Sequence, residues 1–212
     1  MIETVFRRPN PQVWSHPEMW QSARTTSLHA LSQLSLDAAI AFEQIMDPAD
    51  ALPKIGLSVY EDRDHLKDGW ASYVMHDPDG NPIGHCHPSW NADTTNTMFI
   101  AEIYLAKDWM GDPFLDSHNE PMKLEDLRGK KYGLATYVRI ISQALRQDYH
   151  FQSYRAGLSK YGNRIWSILE TAGVAKKTYS TDEVNESERA GHIYTRNQYE
   201  ILSPEELIGL LP

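Results

Sequence analysis

The sequence predicts an α/β domain, and three observations carry that prediction. Apolar residues recur at helical spacing before residue 47 and again after residue 133. The stretch from 70 to 105 has strand composition with a tight-turn signal inside it, and short strand-like runs return after residue 151. No internal repeat interrupts the alternation, and 212 residues suit one sizeable core.

The segment 9–24 combines Pro9, Pro11 and Pro17 with Trp14, Met19 and Trp20, which reads as an extended arm docked through large apolar groups. Leu28, Leu31, Leu34, Ala38, Phe42 and Ile45 then recur every three or four residues, predicting one long helix or two consecutive ones over 26–46, ended by Asp47-Pro48. Strand composition over 70–75, the Asp79-Gly80 pair and the run 83–87 predict a hairpin. Residues 98–105 read as a further strand, buried because its apolar residues are nearly continuous. The long segment 106–127, with Gly111, Pro113 and Pro121, reads as a lid or excursion rather than a simple turn.

Beyond Gly133 the helical period returns through Leu134, Tyr137, Val138, Ile141 and Leu145. Residues 151–158 read as a strand, Asn163 as the cap of a helix over 164–172, and Gly173 as its stop. Strands near 175–179 and 192–201 flank an acidic loop with Asp182, Glu183, Glu186 and Glu188. Ser203-Pro204-Glu205-Glu206 starts a short final helix carrying Leu207, Leu210 and Leu211.

Composition narrows the function classes. With 41% hydrophobic and 23% charged residues the chain is of ordinary globular type, and no apolar run reaches membrane-spanning length. Twenty basic against 29 acidic residues give a net charge of -9, which argues against general nucleic-acid binding. The lone Cys86 cannot form an internal disulfide, and the first nine residues lack the apolar core of a signal peptide, so a cytoplasmic location is expected.

The densest chemical signal is Arg128-Gly129-Lys130-Lys131-Tyr132-Gly133-Leu134-Ala135, a basic turn that opens a helix soon after a buried strand. Helix-start amides, the helix dipole and three cations within four residues make an anion site, the alternative being a solvated charged turn. The order of hairpin, long strand, basic turn, helix, strand, helix and closing strands over residues 69–200 resembles the GNAT family of N-acetyltransferases. That family's pyrophosphate turn has the pattern Gln/Arg-x-x-Gly-x-Gly/Ala. With Arg128 in first place Gly133 comes last and Lys131 stands where the first glycine usually sits; with Lys130 first, Gly133 and Ala135 supply both small residues. The first register is preferred.

The resemblance implies a GNAT-like fold, a twisted, mixed, mostly antiparallel sheet of six or seven strands with helices on both faces. It implies one domain: variable arm and helices over 1–68, a cofactor-binding core over 69–202 and a short helix over 203–212. Acetyl-coenzyme A is the implied acyl donor, its phosphates on backbone groups of Gly129, Lys130, Lys131, Tyr132, Gly133 and Leu134, with Arg128, Leu105, Ala106 and Asn163 as further contacts.

Phe99-Ile100-Ala101-Glu102-Ile103-Tyr104 is similar to the strand that carries a glutamate base in the histone-acetyltransferase branch, which makes Glu102 the candidate general base. As the only acid between Met98 and Ala106 it is expected to sit among apolar neighbours that raise its pKa; the alternative is a strand-edge carboxylate paired with an arginine. The family's helix tyrosine, the acid for the departing thiolate, falls near Leu169, so Tyr161 is the nearest substitute, with Tyr154 a second phenol nearby.

His85-Cys86-His87 places two imidazoles on one strand face with Cys86 opposite, but two ligands do not make a site, and the turn by itself explains Asp77 and Asp79, so no metal is expected. The acidic loop suits a cationic acceptor such as a polyamine, a lysine side chain or an aminoglycoside. The expected activity is transfer of acetyl to a small-molecule or protein primary amine. The competing reading is a GNAT-fold binding protein that has lost catalysis, suggested by Lys131 and the missing helix tyrosine. Residues 1–60 are left with three roles: shaping the acceptor pocket, pairing two subunits as a homodimer, or covering the sheet.

Overall fold

The computed structural model describes residues 33–59, 72–91, 96–107, 111–116, 119–154, 157–180, 184–187, 192–195 and 197–212. The expected arm at 9–24 and the start of the leading helix lie outside the described residues. Helix α1, Gln33–Met46, presents Ala38, Ala39, Ala41 and Phe42 to the core, whereas Leu34, expected on that stripe, is exposed. The helix ends where expected: the Asp47 carboxylate accepts from the Leu52 amide at 2.9 Å.

Strands β1 (Gly56–Val59), β2 (Tyr73–His76), β3 (Pro82–Asn91), β4 (Thr97–Leu105) and β5 (His150–Phe151) form a sheet in that order. The first four are antiparallel and β5 pairs with β4 in parallel. Strand β1 falls in the region expected to hold only arm and helices. It is four residues long and follows Pro53, too short to show a period, and only its pairing with β2 defines it. The hairpin turn forms as expected, with the Asp77 carboxylate accepting from the Asp79 and Asn81 amides and Gly80 at φ +85.

Between β4 and β5 the chain folds back through the bridges Lys107↔Pro113 and Leu115↔Pro121, then forms helix α2 (Leu124–Leu127) and helix α3 (Tyr132–Arg146). Helix α3 is amphipathic and buries Tyr137, Val138, Ile140, Ile141, Ala144 and Leu145. Arg146 at its end donates twice to the Glu43 carboxylate of α1, at 3.0 Å each, which fixes α1 across it.

The strand expected over 151–158 is two elements in different sheets. Strand β5 ends at Phe151, and β6 (Leu158–Ser159) starts just after Gly157, whose φ of +130 no side-chain-bearing residue favours. Helix α4 (Lys160–Thr171) is capped by the Ser159 hydroxyl, which accepts from the Gly162 amide. Asn163 is therefore inside the first turn rather than the cap, and Tyr161 is in the helix rather than before it. Gly173, at φ +78, ends α4, with its own amide on Glu170 O and that of Val174 on Leu169 O.

Strands β7 (Ala175–Tyr179), β8 (Val184–Ser187), β9 (His192–Thr195) and β10 (Gln198–Ile201) close the chain before helix α5 (Pro204–Ile208), which carries the expected capping box on Ser203 and Glu206. Part of the expected acidic loop is thus strand β8, paired with β9, while Asp182, Glu183 and Glu188 lie outside the described residues. Where one sheet of six or seven strands was expected, the described residues form a five-stranded sheet, a β10–β7 pair and a β6–β9–β8 sheet. A bridge Gln152↔Glu200 ties the first two together, so β5 hands its edge to β10. Trp166 anchors this junction, stacked on Tyr199 (5.5 Å) and Phe151 (6.1 Å) and edge-on to Tyr137 (6.2 Å). Truncating such a buried indole costs about 3–5 kcal/mol. No described helix is long and apolar enough to cross a membrane.

Candidate functional site

A bulge in β4 decides which way Glu102 points. Pairing runs from Gly84↔Leu105 to His87↔Glu102 and resumes at Pro88↔Ile100, so Ala101 is an extra residue with no partner in the ladder. In an unbroken strand Glu102 would share a face with Met98 and Ile100, which are buried in the core. The extra residue moves Glu102 and Tyr104 to the other face, with Phe99, opposite His87, His85 and Ser89 of β3. Glu102 is exposed, not buried among apolar neighbours as expected. Among the described residues no arginine or lysine pairs with it.

Three side chains converge there. His85 and His87, two residues apart on β3, have ring centroids 4.9 Å apart at 86°. One ligand atom from each, and one from Glu102, all lie within 4.8 Å of one another. His85 Nδ1 is 2.9 Å from the Lys107 carbonyl; a carbonyl only accepts, so Nδ1 carries the proton. The Tyr104 ring stacks on His85 at 5.0 Å, and that of Tyr154 on Phe99 at 5.2 Å. Cys86 faces the opposite way, fully buried, and burial pushes its thiol up, which removes it as a nucleophile. His76, at the end of β2, bonds Ser58 Oγ (2.7 Å) and Gly80 O (3.2 Å).

Strands β4 and β5 part early. Their parallel pairing covers Thr97↔His150 and Met98↔Phe151 only, after which the chain turns to β10 through Ser153 N–H to Tyr199 O, 2.8 Å. No described strand covers that edge of β4 beyond Met98. Leu105 ends β4, and Ala106, at φ 65, is buried with its amide on Ile83 O at 2.8 Å.

The basic turn opens the crossover helix. Gly129 has φ +76, and Lys131, the N-cap of α3, has φ 61 and ψ 16 without any side-chain cap. Lys131 thus holds a left-handed backbone conformation that favours glycine. The first helical bond is Ala135 N–H to Lys131 O, 2.9 Å, so the amides of Tyr132, Gly133 and Leu134 belong to the open first turn. Arg128, Lys130 and Lys131 are exposed, and the Arg128–Glu125 contact at 3.9 Å, exposed on both sides, holds Arg128 only weakly. Burial pushes the Tyr132 phenol above its ordinary value, and the carboxylates of Asp77 and Asp79 add to this, placing the hairpin turn beside the basic one. A side chain at Gly133 would meet Ile165 Cδ1 at 3.6 Å, so this turn also rests against α4.

The α4 candidates are held elsewhere. Asn163 Oδ1 accepts from Asn197 Nδ2 (3.1 Å) and the Tyr199 hydroxyl (3.2 Å), tying it to β10. Tyr161 is 66% exposed in the first turn. No described contact joins either to Glu102. A shallow pocket of about 300 Å³ at the far end of α3, lined by Asp148, Tyr149, His150 and Pro204 among others, contains none of the candidate residues. Tyr104 and the pairing of His87 with Glu102 were missed by sequence reasoning. Their signal is the alternation His85-x-His87 and Glu102-x-Tyr104, which is silent without the register.

No family model matches the sequence, and no curated protein matches it. Among solved structures the chain is similar to spermidine/spermine N-acetyltransferase SpeG from Vibrio cholerae in complex with manganese ions, at 12% identity over 78% of this chain and 99% of that one, TM-score 0.48. A chimera of the Vibrio cholerae enzyme and hSSAT matches at 12% identity over 72% and 98%, TM-score 0.47. The dodecameric Vibrio cholerae enzyme in an intermediate state matches at 11% over 77% and 89%, TM-score 0.40. The strand order and the β4–α3–β5 crossover carry the architecture independently of these similarities.

Proposed function

We propose that the chain is an acetyl-coenzyme A-dependent N-acyltransferase acting on a primary amine. The observation that carries this reading is the parting of β4 from β5 directly beside the crossover helix that the basic turn opens. Ligand crevices in open α/β sheets form at such switch points, outside the carboxyl ends of parallel strands. The three cations and the first-turn amides of α3 fit the phosphates of a coenzyme A, with Leu105 and Ala106 at the adjoining end of β4, and Asn163 is kept as a further candidate contact. Lys131 in the left-handed region supports a retained motif over a lost one.

On the same face as the open edge, Glu102 accepts the proton of the attacking amine, directly or through water. The N–C bond forms as the C–S bond breaks, and the thiolate takes up a proton. Tyr161, the phenol nearest in sequence to the Leu169 position where the family has its tyrosine, is the proposed donor. Tyr104, on the Glu102 face and 44% exposed, is the alternative phenol. Positioning supplies most of the rate in such a scheme. The donor is acetyl-coenzyme A, and the acceptor class is cationic amines, drawn by the net charge of -9.

A thermal-shift titration with acetyl-coenzyme A tests the first half: stabilisation that falls with salt and is weakened by Lys130→Ala is expected, and no binding would sink the enzyme reading. Assays of wild type, Glu102→Gln, Tyr104→Phe and Tyr161→Phe on a panel of a polyamine, a lysine peptide and an aminoglycoside test the second. Binding without turnover on any amine would favour a binding protein instead.

A further inference from the structure

We propose that His85, His87 and Glu102 form a binding site for a divalent transition-metal ion of the zinc class. The sequence offers two imidazoles and no third ligand. The third is supplied across the β3–β4 pair, because the bulge at Ala101 brings Glu102 directly opposite His87. The three ligand atoms lie within 4.8 Å of one another. A tetrahedral zinc shell with bonds of about 2.0–2.2 Å needs ligand separations of about 3.3 Å. Strands β3 and β4 fix the histidines, and the exposed Glu102 has the rotamer freedom to close the remaining distance.

The rest of the local chemistry suits a metal. The Lys107 carbonyl accepts a hydrogen bond from the His85 Nδ1–H, at 2.9 Å, which leaves Nε2 as the lone-pair nitrogen. Backbone carbonyls do this for ligating histidines throughout metalloproteins. Both Nε2 atoms are buried, whereas the carboxylate is exposed, so the ion would enter from the Glu102 side and keep a position open to solvent. Two imidazoles with one carboxylate favour zinc and its neighbours over magnesium or calcium, which take oxygen ligands. The site needs only the β3–β4 register, and because it uses the Glu102 carboxylate, a bound ion would compete with the role of Glu102 as base.

The test uses the full chain, stripped with a chelator and titrated with Co2+ followed by visible absorption, then with Zn2+ by calorimetry. One equivalent of cobalt should give the intense ligand-field bands of a four- or five-coordinate site, and zinc should displace it. His87→Gln and Glu102→Gln should each weaken zinc binding at least about 10-fold, in line with loss of one ligand of three. His150→Gln, which removes an exposed imidazole beside Glu200, should leave it unchanged. Glu102 is exposed, so its variant should fold, and circular dichroism checks this. Absent cobalt bands, or zinc affinity equal in wild type and Glu102→Gln, would overturn the proposal.

Discussion

His87 stands directly across the β3–β4 ladder from Glu102, and only because Ala101 interrupts the alternation of β4. Deleting Ala101 should leave Glu102 opposite His87 in an unbroken ladder, since Glu102 then follows Ile100 directly and takes the other face. Urea denaturation should therefore show no loss as large as the about 3–5 kcal/mol that a buried, unpaired carboxylate costs. A deletion that loses that much, and recovers it when Glu102→Leu is added, would mean that Glu102 has turned into the core.

Lys131 holds a left-handed backbone that costs a non-glycine residue about 1–2 kcal/mol. Lys131→Gly and Lys131→Ala both remove the charge, so their difference isolates the backbone. The glycine variant should be the more stable by about 1 kcal/mol in denaturant titrations, and both should bind acetyl-coenzyme A more weakly than wild type at low salt.

Gly84 is required by close approach. A Cβ there would lie 2.2 Å from the Tyr104 carbonyl oxygen and 3.0 Å from Leu105 Cα, both backbone atoms of the neighbouring strand. Gly84→Ala should therefore force β3 from β4 and cost about 2–3 kcal/mol. Gly80→Ala meets nothing within 4 Å but is strained by φ +85, and should cost only about 1 kcal/mol. Thermal midpoints of the two variants rank them.

Burial holds the His76 imidazole below its ordinary value, against opposite pulls from the Gly80 carbonyl and Asp77. The folded pKa is the lower one, so the contribution of the neutral ring is present above the ordinary histidine value and is lost as pH falls from there through the lower folded value. His76→Gln should flatten the fall in stability between about pH 7.5 and about pH 5. A wild-type and variant difference that does not change with pH would contradict this.

Much of the candidate chemistry was legible in the residues alone. The crossover helix, the hairpin turn, the final capping box and the basic turn each announce themselves through local rules: period, Asp-Gly, Ser-x-x-Glu and clustered cations before a helix. The misreadings have physical causes of a different kind. Strand β1 is too short to carry a period, and the 151–158 run is one apolar stretch that serves two sheets. Ser159 rather than Asn163 caps α4 because Asn163 is drawn to Tyr199 and Asn197.

The sequence by itself determined which residue types are available: a carboxylate in an otherwise uncharged strand, two imidazoles two apart, and three cations before a helix, in a chain of net charge -9. Tertiary structure decided what they face. Strand register depends on pairing with a segment distant in sequence, and one unpaired residue reverses the facing of every side chain beyond it. That is why Glu102, expected in an apolar setting, emerges on the open face beside His85 and His87.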